Sequence, residues 1–284
     1  MTDGKIEIRK MTAADIAFGM ELKNAVGWNQ LPTDWDRLIA LEPDGCFVAT
    51  LHGRDVGTAT TTTYEDRFGW TAMVLVHPDH RRKGIGTSLL HAGIDYLEQR
   101  VEAVKLDATP MGKKLYDTLG FVDEYMMERW LGKGTNPVSI PDVVPIDQQL
   151  LTAVCEFDTP IFGADRSRLL KMLVNEEPNT AVCVAHSGRV VGYGILRPGY
   201  NCAQLGPIVA EEPKTADMLF RVLLGAVGDR HVQSDVLLPN RYVLDMMRHY
   251  RFEKQRYLVR MYKGRNAHPG LPKHVYAASG PEKG

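Results

Sequence analysis

The chain has 284 residues, about two domains at a soft prior of roughly 150 residues each. Lys and Arg number 34 against 35 Asp and Glu, a formal charge of −1, with 44% hydrophobic and 24% charged residues. This balance excludes the strongly basic and strongly acidic classes, so neither a nucleic-acid partner nor a disordered acidic chain is expected. No run of about 18 apolar residues is present, so no membrane partner is expected either.

The opening Met1-Thr-Asp-Gly-Lys-Ile-Glu-Ile-Arg9 alternates charge with isoleucine. It lacks the apolar stretch of a secretory leader, which predicts a cytoplasmic location. Lys5 to Arg9 alternates as a strand does. Thr12 and Asp15 have the spacing of a capping box and open a helix through Met20 and Leu22. A second helix is predicted over 34–41, ended by Pro43-Asp-Gly45. Strands follow over 46–51, 56–64 and 70–76. Ile85, Leu89, Ile94, Leu97 and Val101 mark one apolar stripe of a helix over 84–100. A short strand over 103–107, a helix over 111–118 and a strand from Phe121 complete this half.

The second half repeats the first. Phe47-Val-Ala-Thr-Leu-His-Gly-Arg-Asp-Val-Gly57 and Cys183-Val-Ala-His-Ser-Gly-Arg-Val-Val-Gly192 both read as strand, tight turn, strand. Each half closes on a comparable strand, Met127 to Gly132 and Val259 to Gly264. Prolines and glycines between them predict a linker over 133–145. The tail from Arg265 onward is rich in Pro and Gly and is expected on the surface or loose. Domains are thus expected over 1–132 and 146–264. Cys46, Cys155, Cys183 and Cys202 are far apart, with no Cys-x-x-Cys pair, and are expected as free thiols with no metal site.

Chemistry concentrates in Met73-Val-Leu-Val-His-Pro-Asp-His-Arg-Arg-Lys-Gly-Ile-Gly-Thr-Ser-Leu-Leu90. An apolar strand runs into a basic, glycine-containing turn, and the turn runs into an amphipathic helix. Free backbone N–H groups and the helix dipole favour an anion there. Gly84 and Gly86 let it approach the backbone, and Arg81, Arg82 and Lys83 add charge. A diphosphate is the expected guest. Neither the Walker pattern nor the dinucleotide Gly-x-Gly-x-x-Gly pattern is present.

Arg81-x-x-Gly84-x-Gly86 after a Val-x-Val-His-Pro strand end resembles the acetyl-CoA signature of the GCN5-related N-acetyltransferase (GNAT) superfamily. Lys114-Leu-Tyr-Asp-Thr-Leu-Gly-Phe121 resembles that family's Leu-Tyr-x-x-Leu-Gly-Phe segment. Gly27-Trp-Asn-Gln30, Asp34-Trp35, Leu106-Asp-Ala-Thr-Pro110 and Phe162-Gly-Ala-Asp-Arg-Ser-Arg168 are similar to segments of bacterial proteins with two such domains in tandem. The resemblance implies an α/β fold of two GNAT domains, each a mixed, mostly antiparallel sheet flanked by helices. The second half resembles the family in topology only. Val209-Ala-Glu-Glu-Pro-Lys-Thr-Ala216 stands where the loop should be, and Glu211 and Glu212 would repel a diphosphate.

The resemblance further implies acetyl transfer from acetyl-CoA to a primary amine of a small molecule. Val74, Leu75 and Val76 would pair with the pantetheine arm, with an amide near Leu75 or Val76 polarising the thioester carbonyl. Arg81, Arg82, Lys83, Gly84, Ile85, Gly86 and Thr87 would cradle the diphosphate, and Tyr116 would protonate the departing thiolate. Trp28, Asn29, Asp34 and Asp107 are candidate acceptor contacts; Asp34, Glu65, Asp66, Asp107 or a water chain are alternatives for the base. Rival readings are an acyl-CoA sensor without transfer, or a thiol or hydroxyl acceptor. A monomer or homodimer is expected.

Overall fold

The computed structural model describes residues 5–284; Met1 to Gly4, on which the leader argument partly rests, lie outside the described residues. The first half runs β1 (Ile6–Lys10), α1 (Ile16–Ala25), α2 (Pro32–Leu41), β2 (Phe47–Leu51), β3 (Arg54–Tyr64), β4 (Phe68–Val76), α3 (Ile85–Glu98), β5 (Ala103–Ala108), α4 (Pro110–Thr118) and β6 (Val122–Lys133). This is the expected order, with boundaries shifted by one or two residues except at α1, where a 3-10 turn over Ala13–Asp15 follows Thr12 and the α-helix starts at Ile16. The Thr12 N–H donates to Asp15 Oδ2 at 2.8 Å, closing the predicted cap ahead of α1. Helix α3 buries Ile85, Leu89, Leu90, Ile94 and Leu97 on one face, because those positions recur at the helical period.

The second half repeats that order as β7 (Val143–Pro145), α5 (Gln148–Phe162), α6 (Ser167–Glu176), β8 (Ala181–His186), β9 (Arg189–Arg197), β10 (Ala203–Ala210), α7 (Pro213–Val227), β11 (His231–Leu237), α8 (Val243–His249) and β12 (Glu253–Gly264). Strand β7 occupies the last three residues of the stretch expected as linker. The halves form one continuous sheet in the order β1-β2-β3-β4-β5-β12-β6-β11-β10-β9-β8-β7. Their final strands are exchanged. Strand β12 lies antiparallel to β5, from Val259 opposite Ala108 to Gly264 opposite Ala103. Strand β6 lies antiparallel to β11, from Met127 opposite Leu237 to Lys133 opposite His231. Each half therefore completes its sheet with the other half's last strand.

Both halves contain a parallel strand pair that parts after three residues. In the first, Phe68, Gly69 and Trp70 of β4 pair with Ala103, Val104 and Lys105 of β5, and the strands then diverge. In the second, Ala203, Gln204 and Leu205 of β10 pair with Val232, Gln233 and Ser234 of β11 before diverging. The first gap stays open as a cleft. The second is filled by the chain itself: β13 (Val275–Ala277) runs antiparallel to β10, and the Ala278 N–H donates to Asp235 O at 2.8 Å.

The tail expected on the surface or loose is therefore corrected to an internal strand. Val275, Tyr276, Ala277, Ala278 and Ser279 are buried. The cause is local: Val275-Tyr-Ala-Ala278 is a short apolar run that satisfies the open edge of β10, and the flanking prolines and glycines only carry the chain there. Beyond it the chain reaches the first half, where Trp70 Nε1 donates to Pro281 O at 3.0 Å and the Tyr64 hydroxyl to Lys283 O at 2.7 Å.

Candidate active site

The loop after β4 is held in shape by its own residues. Pro78–His80 form one tight turn, and Asp79 N–H donates to His77 Nδ1 at 3.4 Å. Arg81 Nε donates back to Val76 O at 3.3 Å. Arg82 (φ 60°) and Gly84 (φ 80°) adopt left-handed backbone, turning successive amides toward one side. The first internal bond at the start of α3 is Ser88 N–H to Gly84 O at 2.9 Å, so the preceding amides leave the helix end unpaired. A Cβ at Gly84 would meet no atom within 4 Å, so the space above the loop is open. Arg81, Arg82 and Lys83 are exposed around it. The donor set thus fits a diphosphate. Replacing Gly84 by Ala forces a left-handed alanine costing about 1–2 kcal/mol, or about 5–30-fold in population of the binding shape. The expected result is a dissociation constant for a diphosphate-bearing ligand raised by about that factor.

Strand β4 leads from this loop into the cleft. His77 N–H donates to Val56 O of β3 at 2.9 Å. Successive strand residues turn their amides to opposite edges. Val76 consequently faces the gap, whereas Leu75, one of two residues expected to offer an amide there, faces β3; Val74, which lines the cavity, lies within the bulge that precedes Leu75. Across that bulge Leu75 stands opposite Thr58 and Ala72 opposite Thr60. Met73 there has φ 50°, and its carbonyl accepts from Thr58 Oγ1 at 3.0 Å.

Across the gap stands Tyr116. Thr109 caps α4 by accepting from Gly112 N–H at 3.2 Å, and Pro110 takes the first helical position. Tyr116 lines the cavity, its ring centroid 6.1 Å from that of Phe121. Gly112 leaves it room, since a Cβ there would come 2.9 Å from Tyr116 Cε2. Burial pushes the phenol above its ordinary pKa of 10.0, which keeps it protonated at neutral pH. The cavity, about 110 Å³, is also lined by Trp28, Gln30, Val74, Asp107, Arg129, Arg256, Leu258 and Glu282.

The other expected contacts divide. Trp28 and Asp107 line the cleft, but Asp107 is held by Arg260 of β12 through bonds of 2.8 and 3.0 Å. Asn29 lies against the second half, its Nδ2 donating to Cys202 O at 2.9 Å and its Oδ1 accepting from Asn201 N–H at 2.7 Å. Asp34 sits outside this cavity, buried with Arg37 at 2.8 Å and Arg197 at 2.7 Å, with Lys283 at 4.0 Å. Burial works against its charge, yet Arg197, Lys283 and Arg37 hold its carboxyl well below the usual range. Glu65 accepts from Asp165 N–H at 2.9 Å, and Asp66 offers its carbonyl to Glu102; neither lines the cleft.

Lys283 carries its own signature. Burial pushes its pKa from 10.5 down to about 8. Below about 8 both folded and unfolded chains hold the proton; between about 8 and 10.5 only the unfolded chain does, so stability rises with pH there. Urea midpoints of the protein should gain on those of Lys283→Met across that window.

Sequence reasoning missed Gln30, Arg129, Arg256, Leu258 and Glu282. Arg129, Arg256 and Leu258 lie on β6 and β12, where period-two alternation places Arg256, Leu258 and Arg260 on one face, but the pairing that brings that face to the cleft is long-range; Gln30 and Glu282 come from a loop and the tail and carry no local signal. In the second half, Glu211 pairs with Arg189, and β13 lies where the first half keeps its gap. The Cys46 and Cys183 thiols are buried, Cys155 and Cys202 half-buried, and all four are free.

Comparison with known proteins agrees with this geometry. The pattern of an acetyltransferase (GNAT) domain matches residues 42–123 and again residues 154–277. The chain is 26% identical over 253 residues to Holothin acyltransferase of Pseudoalteromonas sp., covering 88% of this chain and 85% of that one. It is 31% identical over 123 residues to Mycothiol acetyltransferase of Acidimicrobium ferrooxidans, 37% of this chain and 40% of the relative. A solved structure from Pyrococcus horikoshii superposes with a TM-score of 0.84 at 22% identity, covering 98% and 96% of the two chains. A tandem GNAT protein from the clavulanic acid biosynthesis pathway superposes at 0.63 and 14% identity, covering 92% and 98%. The repeated fold, the open cleft of the first half and these matches together make the chain an acyltransferase of the GNAT family with two such domains in tandem.

Proposed function

We propose that the first half binds acetyl-CoA and transfers the acetyl group by direct attack of a primary amine of a small molecule, with Tyr116 as general acid. The observation that carries this reading is the succession along β4, whose end runs into the loop at 81–87 and the start of α3 while its Val74 lines one cavity with Tyr116. The donor supplies an activated thioester carbonyl. The loop amides with Arg81, Arg82 and Lys83 hold its diphosphate, and Val74 and Val76 hold its arm. A gap-facing amide there stabilises charge developing on the carbonyl oxygen. Tyr116 delivers its proton to the leaving sulfur, whose conjugate thiol has a pKa near 8.5, about 1.5 below an ordinary phenol.

An amine must also lose a proton. Both carboxylates lining the cleft are committed, Asp107 to Arg260 and Glu282 to Lys283 and Arg197. This favours release of the proton to solvent water over any of the four carboxylates considered from sequence. The test is CoA thiol release from acetyl-CoA against amines, amino sugars, amino acids, polyamines, thiols and alcohols, with mass spectrometry of products. An acetylated amine supports the proposal. Acetylated thiols or alcohols alone would move the acceptor to those classes. Binding without any transfer would favour a sensor, and no binding of acetyl-CoA would overturn the proposal.

A further inference from the structure

Four charged side chains line the cleft, and three of them are matched. Asp107 has Arg260, Glu282 has Lys283 and Arg197, and Arg129 has Asp235 through bonds of 2.8 and 2.7 Å. The fourth, Arg256, has no hydrogen-bond or ion-pair partner among the described residues, and its Nε is buried. It stands directly opposite Arg129 across the β12–β6 pair. Two guanidinium groups side by side repel, and the single Asp235 carboxylate, fully buried, is spent on Arg129. An unpaired cation kept half-buried at a cavity wall weakens the folded chain and gains nothing from it.

We propose that Arg256 is the anchor for an anionic group on the acceptor, so that the acceptor carries a carboxylate or phosphate besides the group that is acetylated. The cavity supplies the geometry. Tyr116, Val74 and Asp107 line it from the elements proposed to hold the donor, and Arg256, Arg129 and Leu258 line it from the exchanged strands. Arg256 and Arg260 lie four residues apart on one face of β12, about 13 Å along the strand, so the anion is bound away from the Asp107 end. A guanidinium offers a planar fork suited to either oxyanion. The second half thereby selects the acceptor while the first half holds the donor. This inference rests on the transfer reading above.

The test uses matched pairs that differ only in the anion: 6-aminohexanoate against 6-aminohexanamide, and glucosamine 6-phosphate against glucosamine. With the full chain, at least one anionic member should exceed its neutral twin in kcat/KM by about 10–100-fold. That ratio should fall to about one in Arg256→Met and be partly restored in Arg256→Lys. Thermal unfolding of the ligand-free variants checks the premise: Arg256→Met should melt at or above the wild type, because it removes an unpaired charge. A sharp loss of melting temperature would make Arg256 a structural residue and overturn the inference. So would a ratio near one in the wild type for both pairs, or one unchanged in Arg256→Met. If no amine is acetylated, the same pairs are compared by the rise in melting temperature they cause in the presence of CoA. A rise with the anionic twin only, lost in Arg256→Met, keeps the inference while the amine-transfer reading falls; equal rises, or none, overturn it.

Discussion

Replacing Tyr116 by Phe lowers kcat for acetyl transfer by about 10²–10⁴-fold, the usual worth of a placed general acid, and leaves the fold intact. The two halves of that expectation have separate grounds. Tyr116 lines the cleft, and burial alone accounts for the shift of its pKa, with no side-chain partner contributing. Removal of the hydroxyl therefore strands no buried donor or acceptor, and the ring keeps its packing on Phe121. The melting temperature should change by little while turnover collapses. KM for acetyl-CoA should move little, because Tyr116 is separate from the loop at 81–87 proposed to hold the diphosphate. The pH profile adds a second check. Rate carried by Tyr116 is present while the phenol is protonated and disappears as pH rises through its raised pKa, so the alkaline fall of the wild type should be missing from Tyr116→Phe. A variant that retains full kcat would show that the thiolate leaves without a protein acid and would remove Tyr116 from the mechanism.

The parts of this site that were legible in sequence are those encoded within one element or one turn. The α3 stripe, the glycines that open it and the helix that carries Tyr116 all depend on residues a few positions apart, so local pattern suffices. The charged residues were read less well for one reason. A carboxylate's chemistry depends on its partners, and the partners are distant in the chain. Asp34 reads as a polar contact near Trp35 until Arg197 and Lys283 are placed beside it, 163 and 249 residues later in the chain. Asn29 likewise becomes a fastener only once Asn201 and Cys202 are against it. The exchange of β6 and β12 lies beyond local reading, since each strand shows the same alternation whichever half it joins. The tail was misread through averaging: four apolar residues that fill a strand edge are diluted by the Pro and Gly that flank them.

Replacing Asp34 by Ala lowers stability by about 3–5 kcal/mol, the cost of removing one partner from a buried ionic cluster. Arg37 and Arg197 lose their 2.8 and 2.7 Å partner, and the charge opposing Lys283 is gone. The Leu31 N–H, which donates to Asp34 Oδ2 at 2.9 Å at the start of α2, is stranded as well. Against a total stability of about 5–15 kcal/mol, this brings the chain close to unfolding and shifts the melting midpoint by on the order of 10 °C. The cluster ties α2 of the first half to β9 of the second and to the tail, so the loss is global. The acid limb carries the same signature. A carboxyl whose folded pKa lies below its unfolded value adds stability that is fully present above about pH 4 and is lost as pH falls toward the folded value. The stability gap between the wild type and Asp34→Ala should therefore narrow on acidification. Were Asp34 instead the base that accepts the amine's proton, Asp34→Asn would melt near the wild type and lose turnover selectively. With the carboxylate pinned between two arginines outside the cleft, the expected order is reversed: stability falls first, and the turnover of whatever remains folded follows Tyr116.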